Sequence, residues 1–222
     1  MEQFSNRDGI RIVFDLISVI QENKQYLSDI DGAIGDGDHG INMNKGFTLC
    51  RDELLANPGN LTNGFKTLSK ILIMKIGGSM GPLYGTFFKS LATTCESADA
   101  IDRTVFGKML SFGREGIQKI SDAKPGDKTL MDVLILAEEA YQDSSIAGEP
   151  FRVCLDKMAE AARQGRDATK EMIAKLGRSS RLGERSRGVI DAGAASCCLI
   201  LECMARTIGH LLDSSSESGQ ES

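Results

Sequence analysis

The chain has 222 residues, 41% hydrophobic and 26% charged, which is the balance of a folded globular protein and not of a disordered one. Its 26 Lys and Arg against 31 Asp and Glu leave a net charge of −5, which argues against a nucleic-acid or anionic-membrane binder that works through bulk charge. Half of the 24 glycines lie in three short stretches, 32–40, 77–85 and 177–193, and such clustering indicates loops where the backbone must approach something closely.

Hydrophobic periodicity predicts helices along almost the whole chain. A first helix has an apolar face from Ile10 to Ile20 and a cap at Ser5 or Asn6, and a second ends before Pro58. A third begins at Asn60 or Thr62 and includes the apolar run 71–76, which fits a helix better than a strand. Further helices are expected near 81–95, 103–121, 128–141, 149–176 and 192–212.

These eight segments, with no linker between them, predict one all-α domain over 1–212 and a disordered polar tail over 213–222. We expect no signal peptide and no membrane-spanning helix, because acidic residues interrupt the N-terminal apolar run and no stretch of about 18 apolar residues occurs. The six cysteines lie in apolar helical patterns without a CxxC pair, so buried reduced thiols and a cytoplasmic location are expected.

The densest motif is the acidic glycine loop, residues 31–40. It contains a literal GxGxxG, but the helical surroundings and the interleaved aspartates do not suit a dinucleotide fold. An EF-hand beginning at Asp36 fails as well, because Ile41 and Phe47 occupy the positions that need Gly and Glu.

A physical interpretation of the acidic glycine loop remains. Asp31, Asp36 and Asp38 offer three carboxylates of the kind that bind Mg²⁺ or Ca²⁺, while His39 and Asn42 supply donors where a helix begins. Carboxylates beside an anion site are expected where a divalent metal bridges to nucleotide phosphates. The alternative is a solvated acidic turn.

Four segments in order resemble the nucleotide-binding (DhaL-type) subunit of the dihydroxyacetone kinase family: IGDGDHGINMNKGF, GGSMGPLYGTFF, PGDKTLMDVL and GRSSRLGERSRGVIDAGAAS. The resemblance extends from about residue 5 to 212. It implies a single-domain barrel of eight antiparallel helices that binds ADP or ATP at one end. It also implies two Mg²⁺ ions held by Asp31, Asp36 and Asp38.

The resemblance also assigns a nucleotide-binding set and one catalytic residue. Arg178 is expected near the terminal phosphate, where a guanidinium stabilises charge during phosphoryl transfer. The other arginines of 178–187 either extend a basic stretch or form a solvated face. Three residues depart from the family pattern: Met80, Ser121 and Ala192. The full nucleotide-binding set is His39, Asn42, Gly78, Ser79, Gly81, Leu130, Arg178, Asp191 and Gly193.

The family implies partners as well. Dihydroxyacetone, or a related triose or tetrulose ketose, is held by a separate substrate-binding (DhaK-type) subunit. A phosphotransferase-system (DhaM-type) donor recharges resident ADP in one subtype, whereas ATP exchanges in the other. The alternatives from other functional classes are a nucleotide-sensing module that docks on a regulator without chemistry, and a helical scaffold without a ligand.

Overall fold

The computed structural model describes residues 2–218, and within that range the chain folds into nine α-helices and one short strand pair. Strand β1 (Gln3–Ser5) pairs antiparallel with β2 (Ala100–Asp102), with Phe4 opposite Ile101. The helices are α1 (Ile10–Glu22), α2 (Lys24–Ile34), α3 (His39–Ala56), α4 (Leu61–Lys75), α5 (Met80–Cys95), α6 (Arg103–Gln118), α7 (Met131–Ile146), α8 (Phe151–Ala168) and α9 (Ala192–Ser218).

Eight of these helices form a closed ring, in the order α1, α3, α4, α5, α6, α7, α8, α9 and back to α1. Helix α2 lies outside the ring and packs against α3 and α9. The predicted all-α, eight-helix barrel is therefore confirmed. Each ring helix buries one apolar stripe, and the core includes the aromatic side chains of Phe47, Phe65, Phe88, Phe106 and Tyr141.

Connections alternate between the two ends of the barrel, as expected when neighbouring helices run antiparallel. One end carries the loops 35–38, 76–79, 119–130 and 169–191, and the other carries 57–60, 96–102 and 147–150 together with the N-terminal strand. Helices α3, α5, α7 and α9 consequently begin at the first end. Their unpaired N–H groups and positive dipole ends favour an anion there.

Among the helix boundaries that differ from the sequence prediction, two have a local cause. The first predicted helical region divides at Asn23, whose backbone N–H and side-chain amide both donate to the carbonyl of Val19 and end α1. Helix α8 ends at Ala168 and does not continue to 176, because the buried Thr169 hydroxyl donates to Arg166 O and accepts from Asp191 N–H.

The expected caps are partly correct. Asn60 caps α4 by accepting from Asn63 N–H, as predicted. Asn6 is instead buried at the far end of the barrel, where its amide donates to Thr62 Oγ1 and to the carbonyls of Cys95 and Ala98. It joins α4 and α5 to the N-terminal strand and does not cap α1.

Helix α9 is long and apolar enough to cross a membrane by length and composition, but 78% of the window that passes this test is buried inside the barrel. That burial is typical of a core helix. The last residues of the predicted tail, 219–222, lie outside the described residues, and α9 extends to Ser218.

Candidate active site

A cavity of about 430 Å³ opens at the end of the barrel where α3, α5, α7 and α9 begin. This volume is within the range of small-molecule sites. Eleven of the twelve residues that the sequence analysis selects line it, and Gly81 does not. The eleven are Asp31, Asp36, Asp38, His39, Asn42, Gly78, Ser79, Leu130, Arg178, Asp191 and Gly193.

The three aspartates converge at the mouth of the cavity. One carboxylate oxygen from each of Asp31, Asp36 and Asp38 lies within 4.8 Å of the others. Gly37 has a φ of +74°, so the chain reverses between Asp36 and Asp38 in a conformation that glycine adopts without strain. Three like charges this close favour a shared cation, and hard oxygen ligands fit Mg²⁺.

Arg178 reaches this acidic cluster from a different part of the fold. Its guanidinium forms an ion pair with Asp36 although the two residues are far apart in the chain. Gly177, at a φ of +71°, turns the chain into the 3₁₀ segment Ser179–Ser186 just after Arg178. The side chain is 61% exposed, which leaves it room to move toward a ligand in the cavity.

His39 lies at the first position of α3 and is held from both sides. Its backbone N–H donates to Asp31 Oδ2 at 3.2 Å, and its Nε2 lies 2.9 Å from Ser196 Oγ. Tyr84 OH lies 2.6 Å from the same hydroxyl and donates to Gly193 O at 3.0 Å. Burial lowers the pKa of His39 to about 4, with Asp31 opposing the shift, so the ring is neutral near pH 7 and acts as a hydrogen-bonding group.

The loop between α4 and α5 presents bare backbone to the cavity. A β-carbon at Gly77 or Gly78 would meet no atom within 4 Å, and Gly78 has a φ of +73°. Ser79 follows at the exposed start of α5. Met80 is 8% exposed and packs into the core, and it also lines the cavity. Exposed amides at a helix start are suited to a phosphate oxygen.

Gly81 has a packing role that its motif position does not reveal. A β-carbon there would lie 2.4 Å from the carbonyl oxygen of Ile76 and 2.7 Å from that of Leu72. The glycine therefore allows α5 to begin directly against the end of α4. Gly81 packs behind the exposed loop 77–79, on the side away from the cavity, and does not line the cavity.

One wall of the cavity is apolar. Its buried members include Ile34, Ile117, Ala123 and Leu130, and the more exposed Leu83 and Leu176 add to it. Ser121 and Asp122 add polar groups at its edge. A site with an acidic mouth, exposed helix starts and an apolar wall can hold a ligand that has charged and flat apolar parts.

Asp191 occupies the start of α9. Its Oδ2 accepts from Ala194 N–H at 2.8 Å, which caps the helix, and its own N–H donates to Thr169 Oγ1. Burial raises the pKa of Asp191 to about 6, while the Ala194 amide and Lys128 oppose the shift. Gly193 packs beside Leu130: a β-carbon at Gly193 would lie 3.5 Å from Leu130 N.

Sequence reasoning missed three side chains at this end of the barrel: Tyr84, Ser196 and Lys128. Each acts through contacts between residues distant in sequence, which periodicity and local motifs do not report. Of the four family-like segments, the second contains Tyr84, the third contains Lys128 and the fourth ends at Ser196, so these side chains could have been examined as hydrogen-bonding groups.

Comparisons with known proteins identify relatives of this chain. The DAK2 domain family matches residues 33–206. The chain is 39% identical over 200 residues to the ADP-binding subunit DhaL of PEP-dependent dihydroxyacetone kinase 1 from Listeria innocua, covering 90% of this chain and 95% of that protein. It is 38% identical over 190 residues to the ADP-binding subunit DhaL of the PTS-dependent dihydroxyacetone kinase from Lactococcus lactis, covering 85% and 91%.

A solved structure shares the fold. The dihydroxyacetone kinase from C. freundii in complex with AMP-PNP and Mg²⁺ matches with a TM-score of 0.67 and 20% sequence identity. The match covers 89% of this chain and 33% of that chain, so the present fold corresponds to about a third of that kinase.

Proposed function

Since the chain belongs to the DAK2-domain family as a DhaL-type protein, we propose that it is the Mg²⁺-dependent, ADP- or ATP-binding subunit of a dihydroxyacetone kinase. It transfers a phosphoryl group to dihydroxyacetone, or to a related triose or tetrulose ketose, held by a separate substrate-binding subunit. The observation that carries the proposal is the convergence of Asp31, Asp36 and Asp38 within 4.8 Å at a cavity where four helices begin.

The residues around the cavity divide the work of binding. Asp31, Asp36 and Asp38 hold the two Mg²⁺ ions, which when bound neutralise phosphate charge and orient the transferred group. The backbone at Gly78 and Ser79 faces phosphate oxygens with N–H donors, and the side chains of His39 and Asn42 add donors where α3 begins. Leu130 and the apolar wall contact the base, and residues Asp191 to Gly193 cover the nucleotide.

Arg178 is the residue proposed to act on the reaction itself. A guanidinium stabilises the negative charge that spreads over the equatorial oxygens during transfer. Neutral His39, with Asn42, donates to the phosphates without adding a charge that would compete with the metal. Ser196 and Tyr84 hold the His39 ring in one orientation.

The relatives favour one of the two nucleotide subtypes. The two relatives described above are named ADP-binding subunits of PEP- or PTS-dependent kinases. We therefore favour resident ADP that a DhaM-type phosphotransferase protein recharges over ATP that exchanges. The six cysteines are all buried and free, which supports a reducing, cytoplasmic setting.

Titration calorimetry with Mg²⁺ and ADP tests the nucleotide site. The double variant Asp36→Asn/Asp38→Asn should lose more than about 100-fold in affinity for Mg-ADP, which is about 2.7 kcal/mol, while it keeps its helical circular dichroism. Asp29→Asn, on the exposed face of α2, is the matched control and should bind like the wild type. Normal Mg-ADP binding by the double variant would contradict the metal assignment, and no binding by the wild type would contradict the nucleotide proposal.

Phosphoryl transfer is tested with dihydroxyacetone and a substrate-binding subunit of a dihydroxyacetone kinase. Arg178→Ala should lower turnover about 10²–10³-fold, the usual effect of removing a group that stabilises transition-state charge, with a small change in Mg-ADP affinity. Arg181→Ala, exposed in the same segment, is the control. A wild-type protein that binds Mg-ADP but supports no transfer from either a phosphotransferase donor or ATP would favour the nucleotide-sensing alternative.

A further inference from the structure

Lys128 is a buried lysine whose ammonium group is bound by backbone carbonyls. The residue lines the cavity, yet its side chain is among the fully buried ones at 1% exposure. Its Nζ donates to the carbonyls of Met172 at 3.2 Å, Ser186 at 2.5 Å and Val189 at 2.6 Å. An ammonium has three N–H donors, so all of them are used by backbone carbonyls and none remains for a phosphate.

The three carbonyls come from the two ends of one loop. We call residues 172–189 the closing segment: Met172 is its first residue, Ser186 and Val189 lie at its end, and Arg178 lies between them. Two further bonds join the same ends, from Gly188 N–H to Lys170 O at 2.7 Å and from Ala174 N–H to Ser186 Oγ at 2.9 Å. Lys128 thus joins the two ends of the closing segment.

The closing segment depends on such a contact because it has no long helix of its own. It contains the 3₁₀ segment Ser179–Ser186 and three glycines at positive φ, Gly177, Gly183 and Gly188. Without an ammonium, three carbonyl dipoles would face one another in a buried space with no donor between them.

The backbone around Lys128 is arranged to aim its side chain. Lys128 has a φ of +62° and is the one non-glycine residue with a positive φ among the described residues 2–218. The carboxylate of Asp132 accepts from both Gly126 N–H and Thr129 N–H and so holds the turn on either side of it. A left-handed lysine is rare, and here it sits beside a candidate functional site.

We propose that Lys128 is a positioning residue that ties the closing segment to the start of α7 and thereby holds Arg178 at the acidic cluster and Asp191 at the start of α9. This inference rests on the proposed function, since it assigns Lys128 a role in that same site. It also excludes Lys128 as a direct phosphate ligand.

Limited proteolysis with trypsin tests the structural half of the proposal without any nucleotide. In Lys128→Met the closing segment should open more often, so that cleavage after the arginines of 178–187 accelerates by about tenfold or more. Lys175→Met is the matched control: it removes an exposed lysine that pairs with Asp127 between the same two parts of the chain, and its cleavage rate should stay near the wild-type rate. Lys128→Arg keeps charge and donors and should recover much of the protection.

A double-mutant cycle on kcat tests whether Lys128 acts through Arg178. Lys128→Met should lower kcat about 100-fold in the wild-type background, as expected for a misplaced catalytic group. When Arg178→Ala is already present, it should lower kcat by less than about threefold. Additive losses would contradict the proposal.

Other results would also overturn it. Wild-type protection of the closing segment in Lys128→Met would remove the role assigned to Lys128, and this outcome does not depend on the protein being a kinase. Loss of the helical circular dichroism in both Lys128→Met and Lys128→Arg would make Lys128 a residue of the barrel's overall stability and not of the site. Failure of the wild type to bind Mg-ADP would instead contradict the proposed function and leave the proteolysis result to decide the structural role.

Discussion

Asp38→Asn should stabilise the protein in the absence of metal and at the same time weaken its binding of Mg-ADP. In the structure, one oxygen of Asp38 lies within 4.8 Å of an oxygen of Asp31 and of Asp36. At that separation each like-charge pair is unfavourable by about 1 kcal/mol in a water-like dielectric. Two pairs amount to about 2 kcal/mol. The dipole of α3 and the Arg178 guanidinium paired with Asp36 together offset roughly 1 kcal/mol of it.

The expected net gain is therefore about 1 kcal/mol, which corresponds to a rise in Tm of roughly 2–4 °C for a domain of this size. Asp38 is a better probe than Asp36, because Asp36 is paired with Arg178 and its removal would also break that ion pair.

Thermal unfolding in EDTA, at low salt and at about 1 M NaCl, measures the effect. The gain should shrink at high salt, because the Debye length falls to about 3 Å and screens the repulsion. Mg-ADP should raise the Tm of the wild type and leave that of Asp38→Asn nearly unchanged. Lower stability of Asp38→Asn in EDTA, or the same Mg-ADP response as the wild type, would refute the reasoning. The reasoning is that the three carboxylates repel one another until a cation binds between them.

Three more measurements follow from the structure. Gly40→Ala should destabilise the fold by about 2 kcal/mol or more, because its β-carbon would lie 2.1 Å from Lys24 O, whereas Gly32→Ala meets no atom nearer than 3.8 Å and should be neutral or stabilising in urea unfolding. The pKa of Asp191 is raised above its unfolded value to about 6, so its protonated form stabilises the native state below pH 4 and that contribution is lost as the pH rises through 6; Asp191→Asn should then add up to about 3 kcal/mol at pH 7.5 and little at pH 4. The six buried thiols, with the pKa of Cys50 raised to about 12 by burial, should react with a disulfide reagent at pH 8 only after denaturation, and rapid reaction of the native protein would contradict their burial.

Much of the local structure could be predicted from the sequence. Helical periodicity located the apolar stripes. Pro58 marked the end of α3 and Asn60 the start of α4 correctly. The helix count was short by one, because the break at Asn23 consists of a single residue that bonds back to Val19 without a glycine or proline to signal it. Such a break leaves no strong local pattern, because the segments before and after it each have helical periodicity.

The acidic cluster could be predicted because it also depends on residues that are close in the chain. Asp31, Asp36 and Asp38 are close in the chain, and the glycines between them restrict how far apart their carboxylates can lie. Residue type and short spacing were therefore enough to suggest a divalent metal. Gly78 and Ser79 were expected at the site from the family resemblance, and both line the cavity, whereas Gly81 in the same motif faces the end of α4.

The sequence by itself determined the helical class, the acidic loop and the glycine-rich segments, because each depends on residues within one or two turns of one another. Tertiary structure alone decided that the ring closes through α1 and α9, that Ser196 and Tyr84 hold His39, and that Lys128 binds both ends of the segment carrying Arg178. These contacts join residues that are far apart in the chain, and they form only once the packed helices bring the four loops to the same end of the barrel.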